Sequence, residues 1–282
     1  MQIERARELG LCFGVRRAVE MLRDAGRTYG SLQTLGPLAH NRVLLQELES
    51  QGVTTVDSPE KLTGPVVVVP AHGIAPDIMD LLRERGFATV DTTCPNVAKA
   101  QSIASDMAQD GLTIVIYGDS QHSEVRGLLG WAREKGVASL DPCTLPFIGD
   151  SSASQKVGII SQTTQRAESF ASFVQQVCGA VLATSREVRI VNTLCDATRR
   201  RQAAAAELAR TVDAMVVIGG RNSANTQRLA ETCAGLVETY LIETAEELDA
   251  ALLRSKTRIG LTAGASTPDS SIEQVECRLR RL

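Results

Sequence analysis

Six short apolar runs along the chain each end in a polar loop. They are read in TLGPLAHN, VVVVPAHG, IVIYGDSQHSE, GIISQTT, VVIGGRNSANT and IGLTAGAST. Runs of this length bounded by turn residues predict buried strands. Between them lie stretches with 3.6-residue periodicity, such as Val15, Ala18, Val19 and Leu22, which predict amphipathic helices. Two of these helices are predicted to close at Gly26 and Gly111. Strands that alternate with helices imply parallel βαβ units.

The pattern occurs three times. The extended segments QIERA, FATVD and VRIVN each pass through a short polar or Gly/Thr link to a cysteine, and a helix begins. The cysteines are Cys12, Cys94 and Cys195. From Cys12 the polar loops begin 24 and 58 residues on, at Gly36 and Pro70. From Cys94 they begin 23 and 67 residues on, at Tyr117 and Ser161, and from Cys195 24 and 67 on, at Gly219 and Thr262. The first copy is shorter, and its first strand is the weakest of the six. The expected fold is α/β: three similar small units in pseudo-threefold arrangement around one central site. Their expected spans are 13–93, 94–192 and 193–282, with segment 1–12 joined to the third. Ligands bind outside the carboxyl ends of strands in such sheets. All three cysteines and all six loops fall there. The competing reading is that strand–helix joints are polar in most proteins.

Composition narrows the function. Aromatic residues are 3% of the chain, which disfavours a site of stacked rings. The net charge is −3 and no long basic run occurs, which argues against nucleic acid or an anionic membrane as the main partner. MQIERARELG lacks the apolar core of a secretory signal, and no apolar run approaches the length of a membrane span. A cytoplasmic protein is the expectation. Seven cysteines, an odd number, argue against a disulfide framework, and no C-x-x-C spacing suggests a zinc finger. Cys143, Cys178, Cys233 and Cys277 have no polar companions and read as small apolar residues.

The other three invite a metal. First-turn N–H groups at a helix start favour a thiolate. Structural zinc sites usually close with four ligands. Four cysteines normally saturate a 4Fe–4S cluster, so three would leave one iron open to act as a Lewis acid as well as an electron source. The competing reading is three unrelated thiols. All three histidines of the chain, His40, His72 and His122, fall in the polar loops. Imidazoles near pH 7 bind phosphate oxygens and supply protons. The third copy has no histidine there but carries Asn222, Ser223, Asn225, Ser266 and Thr267. Together they suggest a phosphate or diphosphate ligand held mostly by neutral donors. Glu124, two residues after His122, is a candidate proton donor or a plain first-turn acid. Thr163 and Thr164 are turn or cap residues, or hydroxyls for a substrate alcohol.

The motifs GLCFGVRRA, LAHNR, AHG, DTTCPNV, HSEV, SQTT, NTLCDAT, NSANTQRLAE and TAGASTPD, in that order, make the chain resemble the LytB family of 4-hydroxy-3-methylbut-2-enyl diphosphate reductases. The resemblance covers essentially the whole chain. It implies a 4Fe–4S cluster held by Cys12, Cys94 and Cys195, with one iron free for the substrate hydroxyl. It implies that His40, His72, His122, Ser223, Asn225 and Ser266 hold the diphosphate. Thr163, with Thr164 beside it, would meet the substrate alcohol, and Glu124, with His122, would deliver protons. The reaction implied removes the allylic hydroxyl with two electrons and two protons, the last step of non-mevalonate isoprene biosynthesis. Ferredoxin or flavodoxin would supply the electrons. Departures are visible. Ala224 occupies a substrate-binding position where a second serine is usual, so one hydroxyl is missing; Ser123 stands where proline is common, and Arg126 where an acid is frequent. Two other classes stay open: a lyase or synthase of the quinolinate synthase type using the iron only as a Lewis acid, and a non-catalytic cluster sensor.

Overall fold

The computed structural model describes residues 1–146 and 156–282. In chain order the elements are β1 (Gln2–Arg5), α1 (Phe13–Tyr29), β2 (Leu32–Leu35), α2 (Arg42–Ser50), β3 (Val53–Val56), β4 (Val66–Val69), α3 (Pro76–Glu84) and β5 (Ala88–Asp91). Next come α4 (Pro95–Gln109), β6 (Thr113–Tyr117), α5 (Ser123–Trp131), β7 (Gly136–Ser139), β8 (Lys156–Ser161), α6 (Ala167–Val181) and β9 (Glu187–Ile190). The last are α7 (Asp196–Ala209), β10 (Ala214–Ile218), α8 (Ala224–Ala234), β11 (Thr239–Ile242), α9 (Ala250–Leu253), β12 (Arg258–Ala263) and α10 (Asp269–Leu279).

The strands form three four-stranded sheets, ordered β3-β2-β4-β5, β7-β6-β8-β9 and β11-β10-β12-β1. Pairings such as β4 with β5, β6 with β8 and β10 with β12 run parallel. One plan generates all three. An inner strand is followed by a strand on its outer side; the chain then crosses to the second inner strand and on to the far edge. In the third sheet the far edge is filled by β1, from the other end of the sequence, in register Ile3 to Ile259. The strand order therefore reverses between β2 and β4, between β6 and β8, and between β10 and β12. Ligands favour such reversal points. The six polar loops follow those six strands.

Burial explains why these strands stood out. β4 is four buried valines, and β10 is buried throughout. Strands covered on both faces read as continuous apolar runs. The far-edge strands β1, β5 and β9 have no fully buried residue, so they carry a weaker pattern. One expected helix end moves. α1 runs through Gly26 to Tyr29 and closes at Gly30, whose φ is +78° and whose N–H returns to the Gly26 carbonyl at 2.9 Å. A mid-helix glycine costs only about 1 kcal/mol, and the last turn outweighs it. Gly111 follows the end of α4, as expected.

The chain divides into two compact units. One comprises residues 1–31, 37–55 and 196–282. Its cores include Val216, Ile218, Leu261 and Val275 on one face of the β10–β12 sheet and Met215, Val217 and Leu229 on the other. The second comprises residues 32–36 and 56–195. Its cores flank β6 and β8, with Ile114, Ile116 and Leu128 on one side and Val115, Phe170 and Phe173 on the other. No helix among the described residues is long and apolar enough to cross a membrane.

Candidate active site

Each of the three cysteines is positioned by main-chain groups. Cys94 N–H donates to the Ala71 carbonyl (2.9 Å), Cys195 N–H to that of Thr163 (2.9 Å) and Cys12 N–H to that of Ala265 (3.0 Å). Every acceptor lies two residues beyond a second inner strand, β4, β8 or β12. Two copies add a threonine two residues before the cysteine. Thr92 Oγ1 donates to the Val69 carbonyl at 2.6 Å. Thr193 Oγ1 donates to the Ser161 carbonyl at 2.5 Å and accepts the Ser161 N–H at 2.8 Å. The first copy has Gly10 there instead, and its carbonyl accepts a bond of 2.7 Å from the buried Arg201 Nη2.

A helix follows each cysteine. Cys12 and Cys94 are the caps of α1 and α4, and Cys195 immediately precedes α7. Cys12 Sγ accepts the Val15 N–H at 3.5 Å, and Cys195 Sγ accepts from Asn96 Nδ2 at 3.2 Å. N–H donors aimed at sulfur suit a thiolate ligand. Among the described residues no three His, Cys, Asp or Glu side chains form a group that would hold a metal ion. The donor set nonetheless fits an iron–sulfur cluster in kind: three free thiols in repeated settings, at least two of them with N–H donors on sulfur.

In the second unit the loops after β4, β6 and β8 carry His72, His122, Thr163 and Thr164. Glu124 opens α5 and is 3% exposed. Its carboxylate accepts the Thr163 N–H at 2.6 Å and the Thr163 hydroxyl at 2.9 Å. Burial pushes its pKa up, and the two Thr163 bonds only partly offset that. Since the Thr163 carbonyl holds Cys195, one residue links carboxyl, hydroxyl and cysteine. His122 caps α5: its Nδ1 accepts the Glu124 N–H at 3.1 Å, which leaves the ring proton on Nε2. His72 Nδ1 lies 3.0 Å from the Gly73 carbonyl, an acceptor only, so there Nδ1 carries the proton. Thr164 Oγ1 is buried without a described partner.

In the first unit His40 precedes α2, and its carbonyl accepts the Ser266 hydroxyl at 3.3 Å. Burial lowers the His40 pKa, which favours a neutral ring. Ser223 caps α8, its Oγ accepting the Thr226 N–H at 3.4 Å, and Ala224 begins that helix. Asn225 is 5% exposed, yet neither its Oδ1 nor its Nδ2 has a partner among the described residues. Leaving a buried amide unsatisfied costs about 1–3 kcal/mol. Such a group at a helix N-terminus suits an anionic ligand.

Cys233 is buried in α8 with its thiol pushed up to about 12, as befits an apolar filler. The sequence reading did not single out Asn96, Thr92 or Thr193. The T-x-C spacing shared by DTTC and NTLC is a signal for the two threonines; Asn96 has none, because its partner is remote in sequence.

The chain matches the LytB protein family model over residues 3–280. The 4-hydroxy-3-methylbut-2-enyl diphosphate reductase of Dehalococcoides mccartyi (strain ATCC BAA-2266) is 45% identical over 275 residues, 98% of this chain and 96% of that one. The enzyme of that name from Geobacter sulfurreducens is 40% identical over 285 residues, 99% and 97% of the two chains. A solved structure of (E)-4-hydroxy-3-methyl-but-2-enyl diphosphate reductase, the terminal enzyme of the non-mevalonate pathway, matches with a TM-score of 0.73 at 37% identity, covering 100% of both chains. The Plasmodium falciparum E-1-hydroxy-2-methyl-but-2-enyl-4-diphosphate reductase shares the fold, with a TM-score of 0.89 at 24% identity over 100% of this chain and 87% of that one. With the family match running nearly end to end and relatives this similar along their full length, the chain belongs to the LytB family.

Proposed function

We propose that the chain is a 4-hydroxy-3-methylbut-2-enyl diphosphate reductase, producing isopentenyl and dimethylallyl diphosphate. In balance, one allylic C–O bond breaks and one C–H bond forms. Two electrons and two protons are consumed, and the hydroxyl leaves as water. The observation that carries this reading is Glu124: buried, raised in pKa, and held by the N–H and hydroxyl of a threonine whose carbonyl anchors Cys195. A carboxyl whose pKa burial raises holds its proton more readily than an exposed one, and can give it to a leaving hydroxyl through Thr163.

In this reading Cys12, Cys94 and Cys195 hold a 4Fe–4S cluster with one iron open. When bound, it supplies single electrons and a Lewis-acid iron. His40, His72, His122, Ser223, Asn225 and Ser266 bind the diphosphate, with Thr164 and the main chain at Ala224 beside them. The buried, unpartnered amide of Asn225 supports that assignment. Glu124, Thr163 and His122 position and move protons. Ferredoxin or flavodoxin in the cytoplasm delivers the electrons.

The test is anaerobic. The purified protein is mixed with the substrate and a reduced viologen dye, and dye oxidation is compared with the five-carbon diphosphates formed. Two dye equivalents per product, lost in Cys195→Ser and Glu124→Ala, are expected. Iron binding without substrate-dependent oxidation would point to a lyase or sensor, and no iron after anaerobic reconstitution would overturn the cluster assignment.

A further inference from the structure

Two of the candidate cluster cysteines have a described donor on sulfur, and the donors differ in kind. Cys12 Sγ takes a main-chain N–H, from Val15. Any residue but proline at position 15 would supply it. Cys195 Sγ takes the side-chain amide of Asn96, at 3.2 Å. That bond depends on the residue chosen at position 96. Asn96 is exposed and lies on the first turn of α4, two residues after Cys94. It makes no other described hydrogen bond. A polar side chain at an exposed helix position usually faces water; this one reaches across 99 residues of sequence to a sulfur.

We infer that Asn96 is a positioning residue that stabilises the anionic sulfur of Cys195 and thereby raises the reduction potential of the cluster; the inference rests on the cluster reading above. Reduction adds negative charge, part of which falls on the ligand sulfurs. An N–H donor on sulfur therefore favours the reduced form. One neutral hydrogen bond shifts such an equilibrium about fivefold. For one electron, at 59 mV per tenfold, that is about 40 mV.

The test compares the wild-type chain with Asn96→Leu, which removes the donor, and Asn96→Asp, which keeps the shape and replaces the donor by a charge. Potentials are read by anaerobic titration of reconstituted protein followed by its visible spectrum. Asn96→Leu should load the same iron and titrate about 40 mV lower, and Asn96→Asp lower still. Equal iron with potentials within about 10 mV of wild type would overturn the inference. So would Asn96→Asp titrating above Asn96→Leu.

A second measurement needs no cluster. In the metal-free chain, iodoacetamide labelling of Cys195 is followed by peptide mass spectrometry. With the amide donor removed from its sulfur, Asn96→Leu should label Cys195 about twofold more slowly while Cys12 is unchanged. Equal rates would show that Asn96 does not act on Cys195. A wild-type chain that takes up no iron overturns the cluster reading, and with it the effect on potential. The labelling rates then still decide whether the contact exists.

Discussion

Glu124 combines burial, two bonds from Thr163 and a raised pKa in one side chain. Burial disfavours its charge, so its pKa lies above the ordinary 4.5. Between 4.5 and the raised value the native chain binds more protons than the unfolded one, and stability falls as pH rises through that window. Glu124→Gln keeps the shape and removes the charge. Its denaturation midpoint at pH 7 should match or exceed that of wild type, and the pH dependence between pH 4.5 and 7 should flatten. If Glu124 is the proton donor proposed above, turnover should fall by about 10²-fold or more. A variant both less stable and fully active would contradict this reading. In HSEV the same residue also reads as a first-turn acid. It does stand in the first turn of α5, and the approach of Thr163, 39 residues away, is what supports the proposed proton-donor role beside that.

Helices and strands bring these residues into range, and their ends do the positioning. The loop that carries His72 turns at Gly73, with φ of +70°, where an added Cβ would stand 2.3 Å from Gln101 Nε2. Gly73→Ala should lower stability by about 1–2 kcal/mol in urea unfolding and, on the proposed role of His72 in holding the diphosphate, raise KM more than it lowers kcat, since His72 moves with the loop. At the opposite end of β12, Asp213 accepts the N–H of Thr257 (2.8 Å), its hydroxyl (2.6 Å) and the N–H of Arg258 (2.8 Å), which pulls its pKa down to about 2. A depressed carboxylate stabilises above its unfolded pKa and loses that contribution as pH falls. Asp213→Ala should therefore be less stable at pH 7, and its difference from wild type should shrink between pH 4 and about 2. These elements were legible to unequal degrees. Inner strands such as VVVV are apolar on both faces and cannot be mistaken for loops, so the six polar loops were placed to within a residue or two. The end of α1 was not legible, because Gly26 and Gly30 carry the same local signal and only the backbone bond between them decides. Asn96 was invisible for a related reason: an amide two residues after a cysteine looks solvated until its partner is known.

Across the whole molecule the three-copy plan was readable from spacing alone, and the β1–β12 pairing completes the third sheet. Thiol chemistry offers a global check on which cysteines take part. In the metal-free chain Cys12, Cys94 and Cys195 should label with iodoacetamide, and anaerobic loading with iron and sulfide should protect all three. Buried Cys233, with its thiol at about 12, should stay unlabelled in both states. Protection of only one or two of the three would reject the shared ligand set. The three anchoring bonds have one more consequence. Each runs from a cysteine N–H to a carbonyl, so no side chain is required to make it. The words around each cysteine therefore differ, GLC, TTC and TLC, while the placement is the same. Resemblance among the copies then survives as a count of residues and not as a shared motif, and a repeat of this kind is found by measuring intervals rather than by matching letters.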